Sequence, residues 1–317
     1  MTYVSRRGVL SAAAVGALAH PALAQDFPNR LVQLIVPFAA GGGTDIVARY
    51  FAAAAGRAGV AMQVNPMPGG GGARGGRQVL QAAPDGYTLL FGTMGSNVIT
   101  PMMNDIGFHP DSFDTIAIVA AASHIFCVGA QSTIHTLADL RRQAREKNLS
   151  YSSAGAGSLG HVAMELFSRK TGLEFLHVPY NGSAEALNAV LGQHVDMTLP
   201  TTGSAMPTIT SGYIRALAIT SDTRSAEAPD VPTVREAGVD LLVLNWRGIF
   251  APKNTPAPIR AFLTDLCRRI VAEPEFAALS TRTEGEPPIF RDSASFARQI
   301  DEETKQYQDI VASMRRR

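Results

Sequence analysis

Residues 149–167 read LSYSSAGAGSLGHVAMELF, and the glycines, hydroxyls and histidine of this stretch fit three chemistries. Gly155, Gly157 and Gly160 have the G-x-G-x-x-G spacing with which a dinucleotide fold brings a pyrophosphate onto a helix N-terminus. Ala156-Gly157-Ser158-Leu159-Gly160 is close to the G-x-S-x-G elbow of a serine hydrolase, with His161 just beyond the serine. The third chemistry is anion binding alone: a strand ends, a glycine turn follows, and the N–H groups of a new helix cradle a carboxylate.

The rest of the chain discriminates among them. A dinucleotide site needs an acid at the end of the next strand to hold the ribose. That strand, within LEFLHVPYNG, ends in Tyr180-Asn181, and Glu174 stands at its opposite end. A hydrolase of the elbow type needs serine, acid and histidine in that order. The histidines are His20, His109, His124, His135, His161, His177 and His194, so a triad would have to draw His177 or His194 and its acid from beside the same helices. The anion reading instead gains by repetition. LVQLIVPFAAGGGTDIVAR (31–49) has the same strand, glycine turn and helix start, and PMPGGGGARGG (66–76) and FGTMGSN (91–97) are two further glycine turns. All four fall where strands finish and helices begin, the edge at which doubly wound sheets hold ligands.

The elements that must position these turns alternate in period. LVQLIVPF, YTLLFGT and TIAIVA read as strands, and TDIVARYFAAAAGRAG as a helix. After residue 130 the alternation restarts: TLADLRRQAREKN helix, LSYSSA strand, LGHVAMELFSRKTG helix, LEFLHVPY strand, SAEALNAVLGQ helix, VDMTLP and IRALAIT strands. Near-continuous apolar strands with helical crossovers predict parallel sheets covered on both faces. The last 60 or so residues are helical by their i, i+3, i+4 spacing and are expected to pack back onto the first lobe. The reading is an α/β chain of two lobes: residues 25–126 with 247–317, and residues 127–246. Two extended crossings, near 125–132 and 243–252, would serve as hinge strands with a cleft between the lobes.

The N-terminus MTYVSRRGVLSAAAVGALAHPALAQ has twin arginines, Arg6 and Arg7, a short apolar run and Ala22-Leu23-Ala24, the layout of a cleavable export signal over residues 1–24. The expected location is the periplasm. The full chain carries 28 basic and 27 acidic residues, a net charge of +1 that becomes −1 when the leader is removed. Such a chain has no bulk field for nucleic acid. Cys127 and Cys267 could pair in an oxidising compartment or remain two buried thiols.

PFAAGGGTDIVAR, PDGYTLLFGT, SAGAGSLGH, HVPYNGSAEAL, RALAITSDTR, PDVPTVREAG and WRGIFAP, in this order, resemble the signature blocks of the Bug-type extracytoplasmic solute receptors, the substrate-binding proteins of tripartite tricarboxylate transporters. The resemblance implies a two-lobed type II periplasmic-binding-protein (Venus-flytrap) fold that passes a small organic carboxylate to membrane permease subunits. It implies no catalysis and no cofactor. One departure is Pro66-Met67-Pro68-Gly69-Gly70-Gly71-Gly72, where relatives commonly carry Asn-Arg-Pro-Gly-Ala-Gly-Gly.

Turns 38–45 and 153–158 are expected to face each other and hold the carboxylate by main-chain N–H groups. The candidates are Phe38, Ala40, Gly41, Gly42, Thr44 and Asp45 on one side and Ser153, Gly155, Gly157 and Ser158 on the other, with Gly70, Thr93 and Ser96 from the remaining turns. Thr44 and Ser158 could contact solute or cap their helices. Asp45 would repel a carboxylate and stabilise its own helix start, unless the solute also carries an amine. His161 could donate to the solute or pack. Tyr180 and Asn181 could reach it from a strand end, and Asp196 is either a contact or structural. Phe38, Met67 and Met94 could form an apolar wall, and Arg74 could meet a second carboxylate. A monomer with one ligand is expected.

Overall fold

The computed structural model describes residues 27–180 and 183–314, so the expected leader and Asn181 lie outside the described residues. One sheet has six strands: β1 (Val32–Val36), β2 (Met62–Pro66), β3 (Thr88–Thr93), β4 (Phe113–Ser123), β10 (Leu244–Pro252) and β11 (Arg291–Asp292), in the order β11-β4-β10-β3-β1-β2. The other has five: β5 (Ile125–Gly129), β6 (Leu149–Ser153), β7 (Phe175–Pro179), β8 (Met197–Thr198) and β9 (Ile214–Ile219), in the order β7-β6-β8-β5-β9.

Helices α1 (Gly43–Arg57), α2 (Ala73–Leu80) and α3 (Thr100–Met103) belong to the first lobe, α3 continuing from a π-helical turn at Gly95–Ile99. Helices α4 (Leu137–Glu146), α5 (Leu159–Thr171), α6 (Ser183–Leu191) and α7 (Thr202–Thr210) belong to the second, and α8 (Ala257–Val271), α9 (Pro274–Glu284) and α10 (Ser293–Met314) close the chain. The apolar periods explain these elements. Central β1, VQLIV, is buried at all but Gln33 because helices cover both faces. Helix α1 turns Val47, Ala48, Phe51, Ala54 and Ala55 inward, and Phe51 alone contributes roughly 1.5–3 kcal/mol by burial. Helix α5 buries Val162, Ala163, Met164 and Phe167 and stops at Gly172 in the left-handed region.

Two expectations are corrected. The sheets are mixed, not parallel: β1 pairs in parallel with β2 and β3, and β6 with β7 and β8, but β10 and β5 run antiparallel to their neighbours. Both are strands that enter from the other lobe, and they arrive in the reverse direction. The crossings lie at the N-terminal edges of the two expected stretches, a few residues before the expected lobe bounds of 126 and 246. Ser123 ends β4 in the first sheet and Ile125 begins β5 in the second, so His124 alone spans the first crossing. Leu244 already pairs with Ser123, while the N–H of Val243 bonds Thr220 in the second lobe. The two crossings therefore lie side by side, Ile125 and Phe126 fall in the second sheet, and Leu244, Asn245 and Trp246 fall in the first.

The C-terminal helices also reach the second lobe. A Cβ on Gly203 of α7 would lie 1.8 Å from the Thr283 carbonyl of α9, so a glycine is required there. Helix α10 packs on β4 and also meets α5, where Arg169 donates to the Asp309 carbonyl at 3.1 Å.

Candidate functional site

In the first lobe the site begins where β1 ends. Gly41 has φ +82°, a conformation that costs a glycine little and other residues more. Its N–H donates to Asp45 Oδ2 at 2.9 Å, and Arg49 neutralises that buried carboxylate through Nε at 2.9 Å and a guanidinium NH2 at 3.1 Å. Asp45 is thus a turn-holding residue. Gly42 caps α1 in an extended conformation without any side-chain acceptor. The amides of Ala40, Gly43 and Thr44 consequently have no partner among the described residues, and Ala39–Gly43 is exposed. An exposed, uncapped N-terminus on a 15-residue helix leaves the positive end of its dipole facing solvent.

The other first-lobe turns pack beside it. Gly72 has φ +105°, and a Cβ there would lie 2.5 Å from Ser96 Cβ and 3.4 Å from Pro37 Cβ. Thr100 Oγ1 donates to the Gly71 carbonyl at 3.1 Å. Thr93 and Ser96 bond reciprocally, Thr93 N–H to Ser96 Oγ at 3.0 Å and Ser96 N–H to Thr93 Oγ1 at 3.1 Å. Both are buried, so these two candidates shape the turn by closing on each other. Gly70 is exposed within a 3-10 turn; Phe38 and Met67 are half-buried against the cores, and Met94 is fully inside.

In the second lobe the turn after β6 is tied down. The single proton of Ser153 Oγ goes to the Gly155 carbonyl at 3.0 Å, and the oxygen accepts the Gly155 N–H at 3.2 Å. Its remaining contact, 2.7 Å to His177 Nε2, is then filled by a proton on that nitrogen. Burial holds His177 neutral, with its pKa down at about 4. Ser158 caps α5, accepting the His161 N–H at 3.4 Å. The Gly157 N–H donates to His161 Nδ1 at 3.1 Å. Of the glycine amides expected to hold solute, those of Gly41, Gly155 and Gly157 are therefore engaged internally. The open donors of the second turn are Ala154, Ala156 and Leu159, whose N–H groups have no partner among the described residues.

The two lobes' turns meet through α3. A Cβ on Gly157 would lie 3.6 Å from Met103 Cγ, and α3 follows directly on the turn that packs against Gly72 and Pro37. Met103 was not legible in sequence as a site residue. Tyr180 lies at the same edge, its N–H on the Ser153 carbonyl at 3.0 Å and its carbonyl close to Gly155. Asp196 does not join them. Its carboxylate takes the Ser150 N–H and Oγ, both at 2.8 Å, at the opposite end of β6. There it borders an open cavity of about 660 Å³ with Lys147 and Tyr213, remote from the glycine turns. Arg74 is exposed, its stem against Gly69.

Behind the turns, the hinge holds a buried ion pair. Arg247 of β10 donates to both oxygens of Glu284, at 2.9 and 2.8 Å, with the two side chains 3% and 1% exposed. Burial and this guanidinium keep His124 neutral, its pKa down at about 3. Cys127 and Cys267 are free and buried in separate cores, one per lobe, so the thiol alternative holds. No group of His, Cys, Asp and Glu among the described residues could hold a metal ion, and no described helix is long and apolar enough to cross a membrane.

A family profile described as the tripartite tricarboxylate transporter family receptor matches residues 47–315. An uncharacterised protein encoded in the gbd 5′ region of Cupriavidus necator is 32% identical, with 98% of this chain and 97% of the relative covered. Three solved structures share the architecture. The periplasmic binding protein BugD has a TM-score of 0.79 at 29% identity, covering 91% of this chain and 98% of its own. MatC of Rhodopseudomonas palustris, solved with malate, scores 0.78 at 30% identity, covering 90% and 100%. A second R. palustris protein, solved with adipate, scores 0.80 at 29% identity, covering 92% and 98%.

Proposed function

The chain belongs to the tripartite tricarboxylate transporter receptor family, and from that premise we propose that it captures a small organic carboxylate between its lobes in the periplasm and hands it to that transporter's membrane subunits. The observation that carries the reading is the uncapped, exposed start of α1, with the open amides of Ala40, Gly43 and Thr44. A helix N-terminus contributes roughly 0.3–1 kcal/mol to a nearby anion. Each hydrogen bond to a charged group adds about 1.5–3 kcal/mol. Three such amides, with Ala156 and Leu159 from the other lobe, are enough for the ~8 kcal/mol of a micromolar complex after ordering costs.

The bound solutes of the two R. palustris relatives, malate and adipate, support the dicarboxylate class. The local chemistry agrees: the donors are main-chain amides, which accept any carboxylate, and Arg49 is already occupied by Asp45. Solute touching both turns favours the closed arrangement because only that state makes both sets of contacts. The adjacent crossings at His124 and Val243–Leu244 are where such a motion would bend.

A thermal-shift series on the protein with malate, adipate and glucose tests the reading. A carboxylate at a hundred times its Kd adds about 2.7 kcal/mol and raises Tm by at least ~2 °C. A response to glucose with none to any carboxylate would overturn it.

A further inference from the structure

The two helix starts use the same device with different chemistry. In the first lobe Gly41, at φ +82°, donates its N–H to Asp45; in the second, Gly157, at φ +78°, donates to His161. Each glycine is followed by the N-cap, Gly42 or Ser158, and each acceptor is the third residue of its helix. A side chain four residues on thus hooks the left-handed glycine and sets the path of the turn. The first hook is a carboxylate with an arginine on it. The second is an imidazole, which loses its acceptor when it is protonated at Nδ1.

The surroundings of His161 fix its ring. It stacks on His177 with centroids 3.8 Å apart and planes 18° from parallel, and Tyr151 lies against both rings, 4.9 Å from His177 and 6.4 Å from His161. His177 in turn holds Ser153, which holds both polar groups of Gly155. Because Nδ1 accepts from Gly157, the neutral ring carries its proton on Nε2, which lies 3.9 Å from Glu165 Oε1. Among the described residues, Glu165 from α5, His177 from β7 and Tyr151 from β6 face His161. A second proton would set an N–H against the Gly157 N–H, and the turn would have to turn away.

We propose that His161 is a positioning residue for solute capture: its neutral imidazole holds Gly157 and thereby aims the Ala156 and Leu159 amides, so solute binds only while that ring is unprotonated. The inference rests on the reading that this turn faces the solute. His161→Asn keeps an acceptor for Gly157 that does not titrate, whereas His161→Leu removes it.

Calorimetric titration with malate and adipate from pH 5 to 8, with ligand-free unfolding recorded alongside, tests it. Expected is wild-type affinity that falls at least 10-fold toward the acid end, a flattened profile for His161→Asn within about 3-fold of the neutral wild-type value, and at least a 10-fold loss for His161→Leu at neutral pH. Equal pH profiles for wild type and His161→Asn would overturn the proposal, as would full affinity in His161→Leu. If His161→Leu does not fold, the comparison of wild type with His161→Asn decides alone. A wild-type protein that binds neither acid at any pH overturns the carboxylate reading itself, which is a different outcome from binding that is indifferent to His161.

Discussion

Gly42→Asp should make the protein more stable and a worse receptor. Gly42 sits at φ −75° and ψ 161°, a conformation open to any L-residue, and a Cβ there would meet nothing nearer than the Ala39 carbonyl at 3.5 Å. An aspartate at this N-cap accepts the first-turn amides of α1 and places charge on the positive end of its dipole. Relative to glycine the gain is a few tenths of a kcal/mol from the cap and up to about 1 from the dipole, or roughly 1–3 °C in Tm for a chain of this size. The same carboxylate takes the donors that the solute needs. Losing one charged hydrogen bond costs the complex about 1.5–3 kcal/mol, a loss of about 10- to 150-fold in affinity. Repulsion between two charges about 5 Å apart at an effective dielectric of 20 is of similar size, about 3 kcal/mol. Gly42→Ala adds bulk without an acceptor and separates crowding from competition. Unfolding of the ligand-free protein and calorimetric titration with malate read the two effects independently. Raised stability with undiminished affinity for every carboxylate would place the anion elsewhere.

Arg247→Met should destabilise by about 3–5 kcal/mol in urea unfolding, because it leaves Glu284 charged and buried, and adding Glu284→Leu should recover most of the loss. A loss under 1 kcal/mol would show that water reaches the pair. Burial raises Glu303 to about 6 against an ordinary 4.5, so the folded state binds its proton first and this group adds stability as pH falls from about 6 toward 4.5. Glu303 accepts from the indole of the single tryptophan, Trp246, at 2.8 Å, so fluorescence should titrate near pH 6 and become flat in Glu303→Gln. His124 acts in the opposite direction: lowered from 6.5 to about 3, it contributes stability that is present above pH 6.5 and lost as pH falls toward 3, and His124→Asn should reduce that acid sensitivity. Burial raises both cysteine thiols, so neither should react with a thiol reagent before unfolding, and reductant should leave Tm unchanged. A mobility shift on reduction would contradict this.

The alternation of periods was enough to read two α/β lobes, because buried strands and amphipathic helices differ in side-chain repeat whatever their neighbours. Strand direction and the crossing points were not readable in the same way. IFCVG and LNWRGIFAP are apolar and extended wherever the lobe boundary falls, and only the pairing of Leu244 with Ser123 fixes it. Likewise Thr93 and Ser96 have the chemistry of contact residues, and nothing in their types reveals that each closes on the other. Asp196 starts a strand that runs toward the site, but the chain direction puts it at the far end.

In the glycine turns the spacing of the acceptors carries information that the glycines alone do not. A run of glycines announces a turn but not which amides stay open, and of the glycines expected to hold solute, Gly41, Gly155 and Gly157 are bonded within their own turns. In two of them the acceptor stands four residues downstream, Asp45 after Gly41 and His161 after Gly157, each as the third residue of the following helix. A glycine, a cap and an acceptor at that interval mark those two N–H groups as taken. The open amides are then those left over, Ala40, Gly43 and Thr44 in the first turn and Ala154, Ala156 and Leu159 in the second. An asymmetry follows: the first lobe presents a carboxylate hook and an uncapped helix, while the second presents an imidazole hook and a helix capped by Ser158.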